Sequence, residues 1–358
     1  MSVFSSPSFD QHELVAFTED PASGLKAIIA VHNTNLGSGV GGCRMFPYAS
    51  DDDALEDVLR LSRGMTYKSA LAGLPLGGGK AVIIGDHRTQ KSPALLEAMG
   101  DFINTLGGKY ITAEDSGTCV ADMKVIAQRT KFVSGVDEQQ SFGGDPSPLT
   151  AYGIYCGIKA ALKHKFGRTN VNGCRVAIQG AGAVGRYLTE YLITDGAKVF
   201  VADINADNLK KAVELGAEEV SVDSIIAMDV DVFAPCAMGA ILNDKTIPTL
   251  KTKLIAGGAN NQLAEHRHGN VLRELGILYA PDFVINAGGI IEIHHQRVGT
   301  ATQSKAHIAK IADTLAQIFA SSEAQQISTV EVAERLARDK FDSSANAISE
   351  AYTKSNYA

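Results

Sequence analysis

Residues 175–185 read RVAIQGAGAVG, and their reading decides the fold. Arg175 to Gln179 is a short β-rich run. Gly180-Ala181-Gly182-Ala183-Val184-Gly185 follows it as GxGxxG, and Val184 to Thr194 has the pattern of a helix, closed by Asp195-Gly196. A second strand, Lys198 to Ala202, ends on Asp203. Gly180 permits the tight turn, Gly182 lets backbone reach a pyrophosphate, and Gly185 lets helix pack on strand. The phosphates would rest on the helix N-terminus, where free N–H groups and the helix dipole favour an anion. A GxGxxG alone is common. Strand, motif, helix, second strand and terminal acid together specify dinucleotide binding. Asp203 lies 18 positions after Gly185, where a carboxylate accepts from both ribose hydroxyls. It would repel a 2′-phosphate, and Ile204-Asn205 offers no arginine instead, so the cofactor expected is NAD rather than NADP.

Toward the C-terminus the alternation of helix and strand continues. A helix is expected over 207–215, with strands at 230–233, 253–256 and 277–280. The loops after these strands hold Cys236-Ala237, Gly257-Gly258-Ala259-Asn260-Asn261 and Val284-Ile285-Asn286-Ala287-Gly288-Gly289. In an open parallel sheet, ligands bind beyond the carboxyl ends of the strands. Small residues and amides there suit a nicotinamide carboxamide, although Asn-rich loops also serve simply as turns. Amphipathic helices are expected at 308–319 and 330–336, and the polar tail after Phe341 closes as a helix.

Toward the N-terminus, the Gly/Pro-rich stretch 142–148 is the best linker, preceded by a different kind of sequence. Residues 13–18 and 25–32 read as strands around a turn. A glycine-rich loop, 36–42, leads into Cys43-Arg44-Met45. Ser50 opens a helix with Asp53 as capping-box partner, and Ser92-Pro93 opens another. A strand over 109–113 ends in Glu114-Asp115-Ser116-Gly117, where Asp115 reads either as a catalytic group or as a helix cap. Residues 64–86 read GMTYKSALAGLPLGGGKAVIIGD, with Lys68 and Lys80 twelve positions apart. The glycines before Lys80 are expected to let backbone approach a small ligand closely. A lysine among apolar residues with little water gives up its proton more readily.

The chain's 358 residues suggest two domains. Its 40 acidic against 33 basic side chains exclude a general nucleic-acid surface. No apolar run is long enough to span a membrane. No secretory signal is visible at the N-terminus, and five scattered cysteines without CxxC spacing speak against a disulfide frame or a structural metal. A cytoplasmic protein is expected.

Taken together, GGCRMFPY (41–48), RLSRGMTYKSALAGLPLGGGKAVI (60–83), ITAEDSGT (111–118), IQGAGAVG (178–185), FAPCAMGAILND (233–244), AGGANNQL (256–263) and PDFVINAGG (281–289) resemble the Glu/Leu/Phe/Val dehydrogenase superfamily, most closely its leucine branch. The resemblance runs colinearly from about residue 10 to about residue 345. It implies an α/β fold of two domains. An N-terminal substrate-binding and oligomerisation domain would cover 1–136, with the helix about 332–358 packing back on it. A doubly wound Rossmann domain would cover 137–331. It also implies NAD-dependent reversible oxidative deamination of a branched-chain L-amino acid, leucine with valine and isoleucine, to the 2-oxo acid and ammonia.

By the same resemblance, Lys68 binds the substrate carboxylate with backbone of Gly41-Gly42. Lys80 activates water, and Asp115 moves protons at the nitrogen. Asn261 holds the amino acid, and Thr150 contacts the cofactor. A homo-oligomer, most often an octamer, is implied, with closure of one domain on the other during catalysis. Val40, Ala113, Ile290 and Ile293 match the family's side-chain pocket. All are apolar and none supplies the cation that a glutamate side chain would need. An aromatic amino acid, phenylalanine above all, stays open as an alternative. Glu292 and His294-His295 depart from the leucine pattern, and are expected to face away from the pocket. A non-catalytic NAD-binding protein would be expected to lack Lys80 or Asp115, and both are present.

Overall fold

The computed structural model describes residues 3–136, 145–237 and 239–356, with side chains to Asp342. The chain forms two compact units, residues 1–145 with 337–358, and residues 146–336. The expected boundary at 136/137 adjoins residues 137–144, and these, including 142–144 of the linker stretch 142–148, lie outside the described residues.

The first unit holds strands β1 (Leu14–Asp20), β2 (Leu25–Asn33), β3 (Gly39–Phe46), β4 (Gly77–Ile84) and β5 (Tyr110–Glu114), with helices α1 (Asp51–Leu71), α2 (Pro93–Thr105) and α3 (Val120–Ile126). The sheet order is β1-β2-β4-β3-β5. The β1/β2 and β2/β4 pairs are antiparallel, whereas β3 runs parallel to both β4 and β5. One face buries Ile29, Cys43, Met45, Ala81 and Ile83 against Leu95, Met99 and Ile103 of α2. The other buries Ile28, Ala30 and Val82 against Ala54, Val58 and Leu59 of α1. Ser50 and Ser92 cap α1 and α2 by accepting the N–H of Asp53 and Leu95. The Ser50 hydroxyl also meets the Asp53 carboxylate at 2.8 Å.

The glycines before Lys80 differ from expectation. They are the start of β4, not a ligand loop, and protein fills the space beside each. A Cβ on Gly78 would collide with the backbone of Ser62 and Thr66 in α1, one on Gly79 with the Tyr110 ring, and one on Gly77 with the carbonyls of Asn33 and Gly37. The run therefore lets α1 and the neighbouring chain lie directly on the strand.

The second unit opens with α4 (Ser147–Phe166). Strands β6 (Arg175–Gln179), β7 (Lys198–Ala202), β8 (Glu218–Glu219), β9 (Val232–Pro235), β10 (Leu254–Ile255) and β11 (Leu278–Tyr279) form a parallel sheet of order β11-β10-β9-β6-β7-β8. Helices α5 (Ala183–Thr194), α6 (Ala206–Glu214), α7 (His268–Glu274), α8 (Asp282–Ile285) and α9 (Gly288–Arg297) alternate with it, followed by α10 (Ser304–Ala309) and α11 (Ile311–Gln325). The expected loop 284–289 is largely helical, taken up by the end of α8 and the start of α9, and Gly288 lies so close to Leu149 and Thr150 that any side chain would overlap their backbone. The final helix, α12 (Thr329–Asn356), runs unbroken where two helices are expected. Its start is held in the second unit by Thr329, whose hydroxyl donates to the Tyr279 carbonyl. Its later turns belong to the first unit, where Arg338 donates to Asp10 at 2.7 Å and Phe341 lies against His32 and Tyr67. No described helix is long and apolar enough to cross a membrane.

Candidate active site

In the first unit β4, β3 and β5 lie side by side, and each contributes one charged group to the same place. Lys80 sits in β4 with only 5% of its surface exposed. Asp115 leaves the carboxyl end of β5, and its Oδ2 forms an ion pair with Lys80 Nζ. Arg44 stands in β3, between the other two strands, with Nε 3.7 Å from the same oxygen. Its Nη1 donates to Asp57 of α1 at 2.8 Å, and Asp57 also accepts the Tyr48 hydroxyl at 2.6 Å. Burial pushes the Asp115 carboxyl up, but the charges of Lys80 and Arg44 outweigh it and hold it down at about 2. Among the described residues, no cation is a leading influence on its neighbour Glu114. Burial, with the charges of Asp145 and Asp115, pushes it up to about 7.

The turn that carries Asp115 is lashed to β3. The Asp115 N–H donates to the Thr118 hydroxyl, which donates to the Cys43 carbonyl at 2.8 Å, and the Met45 N–H donates to Ser116 O at 2.9 Å. Gly117, at φ +83°, lies so close to the Met45 carbonyl that a side chain would overlap it. Asp115 caps no helix. Cys119 is the N-cap residue of α3, its N–H received by Asp122.

Val40 and Ala113 are buried on β3 and β5 of this sheet. The carbonyls of Gly41 and Gly42 lie 2.8 and 3.2 Å from the Tyr110 hydroxyl, which fixes the backbone there. Lys68 stands in the last turn of α1, two residues beyond the Thr66 contact with Gly78. Arg44, Tyr48 and Asp57 are absent from the sequence expectation. The available signal was a charged residue inside an otherwise buried strand.

In the second unit, the glycine motif opens α5. Gly180 has φ +100° and its position is closed by Ala237 backbone. A Cβ on Gly185 would overlap the Gly180 carbonyl, so the helix sits directly on the turn. Gly182 differs: nothing lies within 4 Å of where its Cβ would be, so this glycine leaves open space at the N-terminus of α5, beside Ala183 and Val184. The two oxygens of Asp203 accept the N–H groups of Ala181 at 2.6 Å and Asn205 at 2.7 Å. A carboxylate has further lone pairs, so it can still accept from hydroxyls. Ile204 is 92% exposed.

Around the carboxyl ends of β9, β10 and β11, the Cys236 N–H donates to Gln179 O, and burial pushes the Cys236 thiol up to about 11. Asn286 donates to Gly258 O and Asn260 Oδ1, while its own buried Oδ1 has no partner. That orphaned acceptor and the open cradle at Gly182 fit a dinucleotide with a carboxamide. Asn261 holds a left-handed backbone, φ +52°. Buried Gln262 braces it by donating to Gly257 O and Ala259 O. Thr150, in the first turn of α4, donates to Pro146 O. Ile290 and Ile293 lie one turn apart on α9, the first buried and the second half-buried. Glu292 and His295 on that helix are themselves buried, so they do not simply face solvent. Gln296 donates to Glu292, and His295 contacts Thr300 and His307.

One group among the described residues, Asp244, Glu265 and His268, is close enough to hold a cation. It is empty, and Arg267 already pairs with both carboxylates.

Residues 12–132 match the family model described as "Glu/Leu/Phe/Val dehydrogenase, dimerisation domain", and residues 145–207 and 201–353 match "Glutamate/Leucine/Phenylalanine/Valine dehydrogenase". The chain is 49% identical over 344 residues to a leucine dehydrogenase of Geobacillus stearothermophilus, covering 96% of this chain and 94% of that protein. It is 47% identical over 331 residues to a phenylalanine dehydrogenase of Lysinibacillus sphaericus, covering 90% and 87%. The crystal structure of L-tryptophan dehydrogenase from Nostoc punctiforme superposes with a TM-score of 0.78 at 42% identity, over 94% of this chain and 97% of that one. Family models over both units, and relatives matched along nearly their whole length, leave one assignment: the chain belongs to the Glu/Leu/Phe/Val dehydrogenase family, enzymes that use NAD or NADP, and is an amino acid dehydrogenase with a dimerisation domain at its N-terminal end.

Proposed function

We propose that the chain catalyses the NAD-dependent, reversible oxidative deamination of branched-chain L-amino acids, leucine with valine and isoleucine. The observation that carries the chemistry is the buried Lys80–Asp115 ion pair beside Arg44. In the reaction, amino acid, NAD⁺ and water give 2-oxo acid, ammonium, NADH and a proton. Bound nicotinamide supplies the hydride acceptor. Lys68 and the backbone of Gly41 and Gly42 hold the substrate carboxylate. Lys80, neutral at this step, takes a proton from the water that adds to the iminium carbon. Asp115 passes protons to and from nitrogen until ammonia leaves the carbinolamine. Asn261 orients the amino acid.

The cofactor is held by the α5 N-terminus (Gly180, Gly182, Ala183, Val184, Gly185), with Asp203 and Ile204 at the ribose. Thr150, Cys236, Ala237, Asn260 and Asn286 receive the nicotinamide end. Asp203, with no cation following it, supports NAD over NADP. Val40, Ala113, Ile290 and Ile293 support an aliphatic side chain, since none offers a cation or a polar partner. The nearness of phenylalanine and tryptophan dehydrogenases in sequence favours an aromatic substrate as the second reading.

NADH formation over L-leucine, L-valine, L-isoleucine, L-phenylalanine, L-tryptophan and L-glutamate tests this. Preference for the three branched substrates is expected. Preference for phenylalanine or tryptophan replaces the substrate, and inactivity on all six sinks the reading. The dimerisation domain supports a homo-oligomer, for which we propose eight subunits, as sedimentation equilibrium would measure.

A further inference from the structure

We infer that Arg44 is a positioning residue that keeps Asp115 an anion, and keeps it in place, during the part of the cycle in which Lys80 carries no charge. The inference rests on the reading that Lys80 and Asp115 do the chemistry.

Asp115 is largely enclosed, its side chain 15% exposed, and an enclosed carboxylate persists only beside positive charge. Lys80 is the nearer cation, but a lysine that takes a proton from water must first lose its own. With one proton between them, the pair is either an ion pair or a neutral acid beside a neutral amine. The state that has a free amine and a free carboxylate together needs a third group with permanent charge. Arg44 is that group, because a guanidinium stays protonated at any working pH.

Its geometry suits the task. The guanidinium is anchored from the far side by Asp57, which Tyr48 also holds. The near side ends in Nε, buried and without a hydrogen-bond partner, 3.7 Å from Asp115 Oδ2. That distance is electrostatic contact, not a hydrogen bond. A buried N–H left unpaired costs free energy, which is recovered if Asp115 closes on it as the Lys80 contact weakens. Arg44 is held on one arm and keeps a donor in reserve beside the reacting carboxylate.

The test uses the full-length enzyme with L-leucine and NAD⁺, or whichever amino acid it prefers, and follows kcat/KM against pH. Arg44→Gln removes the charge, so the proton shared by Lys80 and Asp115 leaves less readily. The acid limb should move to higher pH by about one unit or more. At fixed pH, kcat should fall on the order of 100-fold, the scale of a lost acid–base group, with KM changed far less. Arg44→Lys, which keeps charge but not the fork, should bring the limb back toward its original position. Should Arg44→Gln fail to fold, Asp57→Asn removes the anion that shares the guanidinium's charge, so the limb should move the opposite way, to lower pH, and by less. An unmoved limb in a folded Arg44→Gln or Asp57→Asn enzyme, or a loss confined to KM, overturns the inference. Asp115→Asn separates the two claims. If it retains turnover, the reading of the site fails. If it is inactive while Arg44→Gln behaves as wild type, only the role given to Arg44 fails.

Discussion

The side chain of Asp115 fills the space that a side chain on Gly42 would need: a Cβ at Gly42 would lie 2.6 Å from Asp115 Cβ and 2.7 Å from the Glu114 carbonyl. Glycine at position 42 is therefore a condition for the Lys80–Asp115 pair. Gly42→Ala must push the Asp115 turn away from β3, against the Thr118 and Met45 hydrogen bonds that hold it. A shift of about 1 Å at a reacting group costs on the order of 100-fold in rate. We expect kcat to fall by that order while circular dichroism reports a folded protein. A wild-type kcat would mean that turnover does not depend on where Asp115 stands.

Gly78 and Gly182 are expected to separate stability from binding. A Cβ on Gly78 meets backbone of α1, which cannot move without shifting the helix. Overpacking of this kind costs about 1–3 kcal/mol, so Gly78→Ala should lower the urea midpoint accordingly. Gly182→Ala meets nothing in the protein. It should leave the midpoint unchanged and weaken NAD binding, because the added methyl occupies the open space at the N-terminus of α5. Calorimetric titration with NAD, set beside the urea curve, checks both. A stable Gly78→Ala protein would contradict the packing argument, and tight NAD binding by Gly182→Ala would move the phosphates elsewhere.

The contrast between these glycines marks what was legible in the sequence. RVAIQGAGAVG carries its own explanation within eleven residues, because turn, helix start and strand are all local. The helix starts at Ser50 and Ser92 were readable for the same reason. Gly77 to Gly79 were not. Glycine is a poor strand former, and what requires it here lies on other elements: the backbone of α1 at Gly78, the Tyr110 ring at Gly79 and the carbonyls of Asn33 and Gly37 at Gly77. Arg44 was missed because its partners, Asp57 and Asp115, are distant in sequence and meet it only through helix packing and strand order. Where a residue's reason lay inside its own element, sequence sufficed; where it lay on a neighbouring element, only the fold supplied it.

Glu114 and Asp115 are adjacent carboxyls with opposite pH signatures. Glu114 is raised from 4.5 to about 7 by burial, aided by Asp145 and Asp115. The folded chain thus holds a proton there that the unfolded chain has already lost between those values. Its contribution to stability is fully present below pH 4.5 and is lost as pH rises through 7. Asp115, burial outweighed by Lys80 and Arg44, is lowered from 3.8 to about 2, so its contribution is present above pH 3.8 and lost as pH falls through 2. Urea midpoints measured from pH 4.5 to pH 7.5 should decline less steeply for Glu114→Gln than for wild type. Equal slopes would place Glu114 in more open solvent than the fold gives it.

Asp203 joins two tasks that substitution can pull apart. Its oxygens accept the N–H groups of Ala181 and Asn205, so it ties the end of β7 to the glycine turn. Under the proposed function, its charge also receives the ribose hydroxyls. Asp203→Asn keeps one acceptor but must turn an amide N–H₂ toward one of the two backbone donors, so the turn loosens. Loss of a hydrogen bond to a charged acceptor costs about 1.5–3 kcal/mol, part of which should appear as weaker binding of NAD. The negative charge that would repel a 2′-phosphate disappears in the same variant. The ratio of kcat/KM with NAD to that with NADP should therefore narrow, on the order of tenfold or more, through loss on the NAD side and gain on the NADP side. Asp203→Ser, which is smaller and has no second oxygen, should narrow the ratio further. Steady-state kinetics with both cofactors at fixed amino acid concentration measure it. A ratio unchanged in both variants would leave Asp203 as a brace for the glycine turn alone, and the preference for NAD would have to come from another residue.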